Sequence, residues 1–318
     1  MIFYPHAKIN IGLEVVNRRS DGFHNIQTLF YPLSKVEVLS FEEFPAERSE
    51  NSDSIASEPK FNASAACYDI LEIVPSSELR MNLYGITYPG EPMDNICVKA
   101  WQLLKEDYPQ LPPVEISLFK KVPVGAGLGG GSSDGACVLT ALNDIFSLAM
   151  DSQTLASYAA RLGSDCAFFI YDRPMMGSGR GEILSDFPLD LDAMGYCLKL
   201  VHPSFFISTK DAYGGIVPRD RWPLCTAGSV EGERTGSGRE ADSAHQRPAL
   251  EELRNKSLEE RLLAGVETWK DTIVNDFETT VFAKYPQLAS FKQMLYDQGA
   301  VYAAMSGSGS TMFGIFRK

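Results

Sequence analysis

The sequence predicts a mixed α+β or α/β protein built as two domains that meet near residue 172. Three observations carry that expectation. Apolar residues alternate at Ile9, Ile11, Leu13 and Val15, the period of a half-buried strand. Residues 94–108 and 136–148 place their apolar side chains at helical spacing instead. Residues 301–316 close the chain as two strands around a Gly-Ser turn.

The first strand covers residues 1–16, and Arg18-Arg19-Ser20-Asp21-Gly22 has the composition of a turn. Leu29 to Phe41 supplies one or two further strands. Residues 42–66, rich in Glu, Ser and Ala, read as an exposed insertion. A helix spans Asp94 to Tyr108, with Asp94 as N-cap and Ile96, Ala100, Leu103 and Leu104 on one face. Val114 to Phe119 alternates as a strand and runs into a glycine loop. Helices over Ala136–Leu148 and Ser152–Leu162 come next, and the short apolar run Cys166–Tyr171 reads as a buried strand. In the second half, residues 226–247 combine Gly, Ser, Glu and Arg with few large apolar residues and read as a flexible insertion. Leu258–Trp269 and Pro286–Gln298 are the remaining helices.

The formal net charge of −12, from 29 basic and 41 acidic residues, speaks against the basic face that general nucleic-acid binding requires. It leaves room for an anionic ligand, because a phosphate site needs only a few local donors in a cleft. No run approaches the roughly 18 apolar residues of a membrane helix, and MIFYPHAKIN lacks the apolar stretch of a signal peptide. The six cysteines (67, 97, 137, 166, 197 and 225) form no CxxC pair. Disulfides and a zinc site are therefore not expected, and a cytoplasmic setting is.

The segment that carries chemistry is Pro123-Val-Gly-Ala-Gly-Leu-Gly-Gly-Gly-Ser-Ser-Asp134, with five glycines in the seven positions from Gly125 to Gly131. Glycines let backbone N–H groups close on an anion with no Cβ in the way. The helix that follows adds its positive end, and Ser132 and Ser133 can donate to phosphate or ligate Mg²⁺. Gly125-x-Gly127-x-x-Gly130 formally satisfies the dinucleotide fingerprint, but a second helix stands where that fingerprint needs a strand ending in an acid. A Walker A loop needs a lysine that is absent here, and the HRD and DFG signatures of protein kinases are missing too. The loop belongs to another ATP-binding architecture.

PVGAGLGGGSSDGA resembles the central motif of the GHMP kinases, the family of galactokinase, homoserine kinase and mevalonate kinase. Pro5-His-Ala-Lys-Ile-Asn-Ile-Gly-Leu13 resembles the family's first motif, and Met305-Ser-Gly-Ser-Gly-Ser-Thr-Met-Phe313 its third. The resemblance implies a two-domain α+β fold: a ribosomal protein S5 domain 2-like N-terminal ATP-binding domain (1–172) and a ferredoxin-like C-terminal domain (173–318). It also implies ATP and Mg²⁺ and a small alcohol as phosphoryl acceptor. Arg18-Arg19-Ser-Asp21-Gly22-Phe23-His24, Arg161-Leu-Gly-Ser-Asp165, Gly179-Arg-Gly-Glu182 and His202-Pro-Ser are most similar to the branch acting on a cytidine diphosphate derivative of methylerythritol. Acceptors of the homoserine or mevalonate type, or a silent ATP-binding regulator, are the alternatives.

Residue by residue, the resemblance implies Asp165 as catalytic base, paired with Lys8, a charge in an otherwise apolar strand. ATP would be held by Pro123, Val124, Gly125, Ala126, Gly127, Leu128, Gly129, Gly130, Gly131, Ser132 and Ser133. Asn95 and Lys120 would lie on the adenine side. Ser132 or Ser133 would be the protein's hydroxyl toward the metal. Asn10, Phe23, His24, Thr209 and Tyr213 would bind the acceptor, with aromatic rings stacked on cytosine and His24 reading its edge. Gly307 and Ser308 would close over the phosphate loop.

Overall fold

The computed structural model describes residues 1–44, 60–61, 67–87, 90–203, 207–221 and 250–318, with only the backbone described at 41–44, 60–61, 209 and 221. The insertion expected at 226–247 lies outside these residues. So does most of that expected at 42–66, whose described ends are strand.

Strands β1 (Ile2–Phe3), β2 (Lys8–Arg18), β3 (His24–Pro32), β4 (Val38–Phe44) and β5 (Lys60–Phe61) open the chain. β6 (Ile70–Pro75), β7 (Arg80–Gly85), helix α1 (Ile96–Asp107) and β8 (Val114–Lys120) lead to the glycine loop. Helices α2 (Gly130–Ile145), α3 (Ser152–Leu162) and α4 (Cys166–Tyr171) precede β9 (Met175–Ser178), β10 (Ile183–Asp186) and β11 (Tyr196–Pro203). Helices α5 (Thr209–Tyr213), α6 (Leu258–Leu263), α7 (Trp269–Thr272), α8 (Phe277–Lys284) and α9 (Gln287–Asp297) and strands β12 (Tyr302–Met305) and β13 (Met312–Arg317) complete the described chain.

Three sheets result, in the orders β1-β6-β8-β7, β10-β9-β3-β2 and β12-β13-β11-β4-β5. Helices α1, α2 and α3 cover the first, burying Val98, Leu104, Val138, Leu142 and Leu155 with Leu71, Ile116 and Leu118. Ile9, Ile11 and Tyr31 of the hairpin pack with Leu198, Trp269, Tyr302 and Phe313, so the second and third sheets share a core. The expected boundary at residue 172 falls between α4 and β9. Sheet pairing nonetheless crosses it, since β9 adds to β3 and β4 runs parallel to β11.

Several sequence expectations need correcting. The helix expected over Leu258–Trp269 is broken: α6 ends at Leu263 and α7 begins at Trp269, with Gly265 at φ 102° between them. Cys166–Tyr171 is helix, not strand: a six-residue apolar run fits either period, and here Cys166, Ala167 and Phe168 turn into the core behind Asp165. Asn95, not Asp94, caps α1, its side chain accepting from the Cys97 amide at 2.8 Å. Helix α2 begins at Gly130, six residues before Ala136, because its first turn is made of the glycines and serines of the motif itself.

Candidate active site

A cavity of about 960 Å³ lies between the β2–β3 hairpin, the glycine loop and the turn that joins β12 to β13. Its floor is the glycine loop. Gly125, Gly127 and Gly129 hold φ of 70°, 78° and 71°, a left-handed residue at every second position. This alternation turns backbone N–H groups inward as an anion nest, and the 16-residue helix α2 points its N-terminus at the same place.

The turn after β12 sits directly on that loop. Ser306 Oγ donates to Gly127 O at 2.8 Å, and Thr311 N donates to Ala126 O at 3.2 Å. Asn275 holds the turn from behind, its Nδ2 donating to Met305 O and Gly307 O, each at 2.8 Å. Gly307 and Ser308 therefore line the cavity.

Lys8, 3% exposed, begins β2 and reaches the cavity beneath the loop. Its ammonium donates to Asn10 Oδ1 and, at 3.1 Å, to Gly127 O, and lies 3.3 Å from Asp165 Oδ2. Asp165 stands at the N-cap of α4 with no capping hydrogen bond from its side chain, which leaves the carboxylate to Lys8 and the cavity. Asp165, Lys8 and the glycine loop thus form one cluster, assembled from residues 8, 127 and 165.

Beyond Asp165 lies an aromatic group. The His24 and Tyr213 rings stack with centroids 4.8 Å apart and planes 13° apart, and Phe277 meets Tyr213 edge-on at 4.7 Å. Phe23 stays at the rim, 55% exposed, with the Arg180 guanidinium 5.0 Å from its centroid. Burial, then the Arg18 charge, lower the His24 pKa and favour the neutral ring. Burial and then the Asp165 charge raise that of the Tyr213 phenol, which puts the aromatic group within electrostatic reach of Asp165.

Of the predicted site residues, the cavity gathers Lys8, Asn10, Phe23, His24, Asn95, Lys120, Asp165, Tyr213, Gly307 and Ser308, and the loop from Pro123 to Ser132 except Leu128. Leu128 is packed in the core and Ser133 is buried, its N–H donating to Gly129 O, so Ser132 is the serine that faces the cavity. Thr209 is the first residue of α5, and its side chain lies outside what the structure describes. Sequence reasoning missed Arg180 and Lys210, two cations of the lining, although Arg180 lies within the Gly179–Glu182 stretch that resembles the family and Lys210 directly follows the candidate residue Thr209.

It also missed what surrounds Lys120. This lysine, 2% exposed, donates to Asp69 and, at 2.8 Å, to Asp134 Oδ2, while Asp69 Oδ1 accepts from the amides of Lys121 and Val122. One ammonium cannot neutralise two buried carboxylates. Burial pushes the Asp134 carboxyl up, Lys120 pulls it down and Asp69 pushes it up again, to about 8. Between its ordinary 3.8 and about 8, the folded protein keeps a proton that the unfolded chain releases. Stability should therefore fall as pH rises through that window. Melting curves taken from about pH 6 to about pH 8 should show that fall in the native protein and a flatter profile in Asp134→Asn; parallel profiles would contradict the assignment.

Among the described residues no group of three His, Cys, Asp or Glu side chains could cage a metal ion. The serines among the lining residues are Ser132, Ser164 and Ser308. No helix of the described residues is long and apolar enough to cross a membrane.

An anion nest closed by a second glycine turn and faced by a Lys–Asp pair defines a phosphotransferase site of one class. The family model for the GHMP kinases N terminal domain matches residues 95–173, and that for the GHMP kinases C terminal region matches residues 247–318. The chain belongs to the GHMP kinase family. Among its relatives, a 4-diphosphocytidyl-2-C-methyl-D-erythritol kinase of Bacteroides fragilis is 38% identical over 318 residues, covering 99% of this chain and 92% of the relative. One from Cytophaga hutchinsonii is 38% identical over 317 residues with the same coverage. A crystal structure of 4-(cytidine 5'-diphospho)-2C-methyl-D-erythritol kinase superposes with a TM-score of 0.64 at 26% identity, over 99% of this chain and 89% of that one. A homoserine kinase of Cytophaga hutchinsonii shares the fold at 16% identity, with a TM-score of 0.59 over 98% of this chain and 85% of that one.

Proposed function

We propose that this chain transfers the γ-phosphoryl group of ATP to the 2-hydroxyl of 4-diphosphocytidyl-2-C-methyl-D-erythritol, the kinase step of non-mevalonate isoprenoid synthesis. The observation that carries the reading is the placement of the Lys8–Asp165 pair, 3.3 Å apart, between the phosphate nest and the His24–Tyr213 stack. A polyphosphate fits on one side of the pair and an aromatic base on the other. The alcohol to be phosphorylated falls between them.

Asp165 accepts the proton of the acceptor hydroxyl, and Lys8 compensates charge on the transferred group. The nest and the N-terminus of α2 hold the phosphates, and Ser132 would face a Mg²⁺ bound with the nucleotide, which would supply charge neutralisation to their oxygens. Phosphoryl transfer has a loose transition state, so positioning counts for more than full deprotonation of the alcohol. His24 and Tyr213 supply the flat surface for the pyrimidine.

The test is ADP release measured with cytidylated methylerythritol, mevalonate and homoserine, with native protein and His24→Ala. Turnover is expected only with the first. The variant should raise its KM by about tenfold or more, the loss of roughly one stacking contact and one hydrogen bond, while KM for ATP holds. Turnover only with mevalonate or homoserine, or an unmoved KM in the variant, would refute the substrate assignment.

A further inference from the structure

Helix α4 carries Asp165 at its first end and is fastened at the other. Asp172, its C-terminal cap, has φ +47° and ψ +48° and donates its amide to Phe168 O at 3.1 Å. Its carboxylate has three partners, none on α4. His6 Nε2 lies 2.6 Å from Oδ1, Ser34 Oγ donates to Oδ1 at 3.1 Å, and Lys35 Nζ lies 3.3 Å from Oδ2. Burial pushes this carboxyl up, but His6, Lys35 and Ser34 outweigh it and hold it below the usual carboxylate range, so it is charged at neutral pH.

His6 stands two residues before Lys8. The chain running 6 to 8 is thus tied to the helix running 172 to 165 at both ends, by His6–Asp172 and by Lys8–Asp165. Between the ties, Phe168 is fully buried against Phe30, and Phe169 lies 5.6 Å from the His6 ring. Phe169 also abuts the phosphate loop: a Cβ on Gly129 would meet its ring at 3.0 Å. A helix of six residues does not hold its own orientation; its end contacts do.

We propose that Asp172 is a positioning residue for phosphoryl transfer: by anchoring the far end of α4 to His6, Ser34 and Lys35 it sets where Asp165 stands relative to Lys8 and the phosphate loop. The carboxylate is not needed for the cap, because a left-handed C-terminal position is one that glycine fills better than aspartate. The acid earns its place through the three partners. This inference rests on the reading of Asp165 as the base.

Asp172→Gly is the discriminating variant, since it keeps the left-handed backbone and removes only the anchor. Its kcat with ATP and the cytidylated acceptor should fall about tenfold, as expected for a displaced catalytic group, with both KM values within about twofold of native. Asp172→Asn, which tolerates the same backbone and keeps an acceptor oxygen, should recover part of the rate. Adding His6→Ala to Asp172→Gly should cost little more, because both cut the same tie. A native kcat in both Asp172 variants, or a loss confined to KM for ATP, would overturn the proposal. Asp165→Asn is assayed alongside. If it turns over normally, the base reading fails and this inference with it. If it is inactive while Asp172→Gly is native, the positioning role alone falls.

Discussion

Replacing Lys8 by methionine is expected to lower kcat by about a thousandfold in a protein that still folds, a loss comparable to removing a transition-state cation or hydrogen-bond donor. The ammonium is the only cation that binds Asp165 among the ion pairs of the described residues, and it also donates to Asn10 and the Gly127 carbonyl. Methionine keeps an unbranched stem of similar length, so packing beside Phe30, 5.4 Å from the ammonium, survives. What is lost is charge at the junction of Asp165 and the glycine loop. Stability should change less than activity, because the Asp165 side chain is 31% exposed and water can solvate the carboxylate left behind. Arginine should not rescue the enzyme: its planar fork cannot replace a compact ammonium that three acceptors surround. Combining Lys8→Met with Asp165→Asn should cost little beyond either alone, since the two act as a unit. Steady-state kinetics and a melting curve on Lys8→Met, Lys8→Arg, Asp165→Asn and the double variant check this. Activity within tenfold of native in Lys8→Met would remove the lysine from the mechanism.

Much of the site was legible because its residues are local anomalies. Lys8 interrupts an apolar strand, and five glycines between residues 125 and 131 break every regular pattern. Such departures from local consistency are where functional demands show in a sequence. The rest was not legible because distant partners create it. Asp69 and Asp134 look like surface acids until Lys120 is placed between them, 51 and 14 residues away. Asn275 is an unremarkable amide until the turn at 305–307 folds onto its Nδ2. Phe277 joins the aromatic group only because α8 packs beside Tyr213. Helix α4 is hidden in the sequence for a different reason: Cys-Ala-Phe-Phe-Ile-Tyr carries no polar residue to reveal its period, and with it goes the tie between residues 165 and 172.

Gly127→Ala is expected to raise KM for ATP by more than about a hundredfold and to lower the melting temperature. A left-handed backbone costs an L-residue roughly 1–2 kcal/mol, and at φ +78° Gly127 would incur that first. The larger penalty is steric. A Cβ there would lie 1.9 Å from the Ser306 carbonyl oxygen, 2.9 Å from its carbon and 3.3 Å from the Gly309 nitrogen. These are backbone atoms, so no rotamer change relieves the overlap. Either the phosphate loop leaves the nest conformation or the 306–309 turn lifts away. Both routes break the Ser306–Gly127 hydrogen bond and the Thr311–Ala126 hydrogen bond, and both displace the carbonyl that accepts from Lys8. Gly131→Ala separates this clash from a general intolerance of side chains in the loop. Gly131 lies in the first turn of α2, a Cβ there meets nothing within 4 Å, and its φ is not left-handed. Alanine is also the better helix former by about 1 kcal/mol. Gly131→Ala should therefore melt at or above the native temperature while Gly127→Ala melts below it. Equal melting temperatures for the two variants, with native ATP binding in Gly127→Ala, would mean that the contact between loop and turn does not shape the nucleotide site.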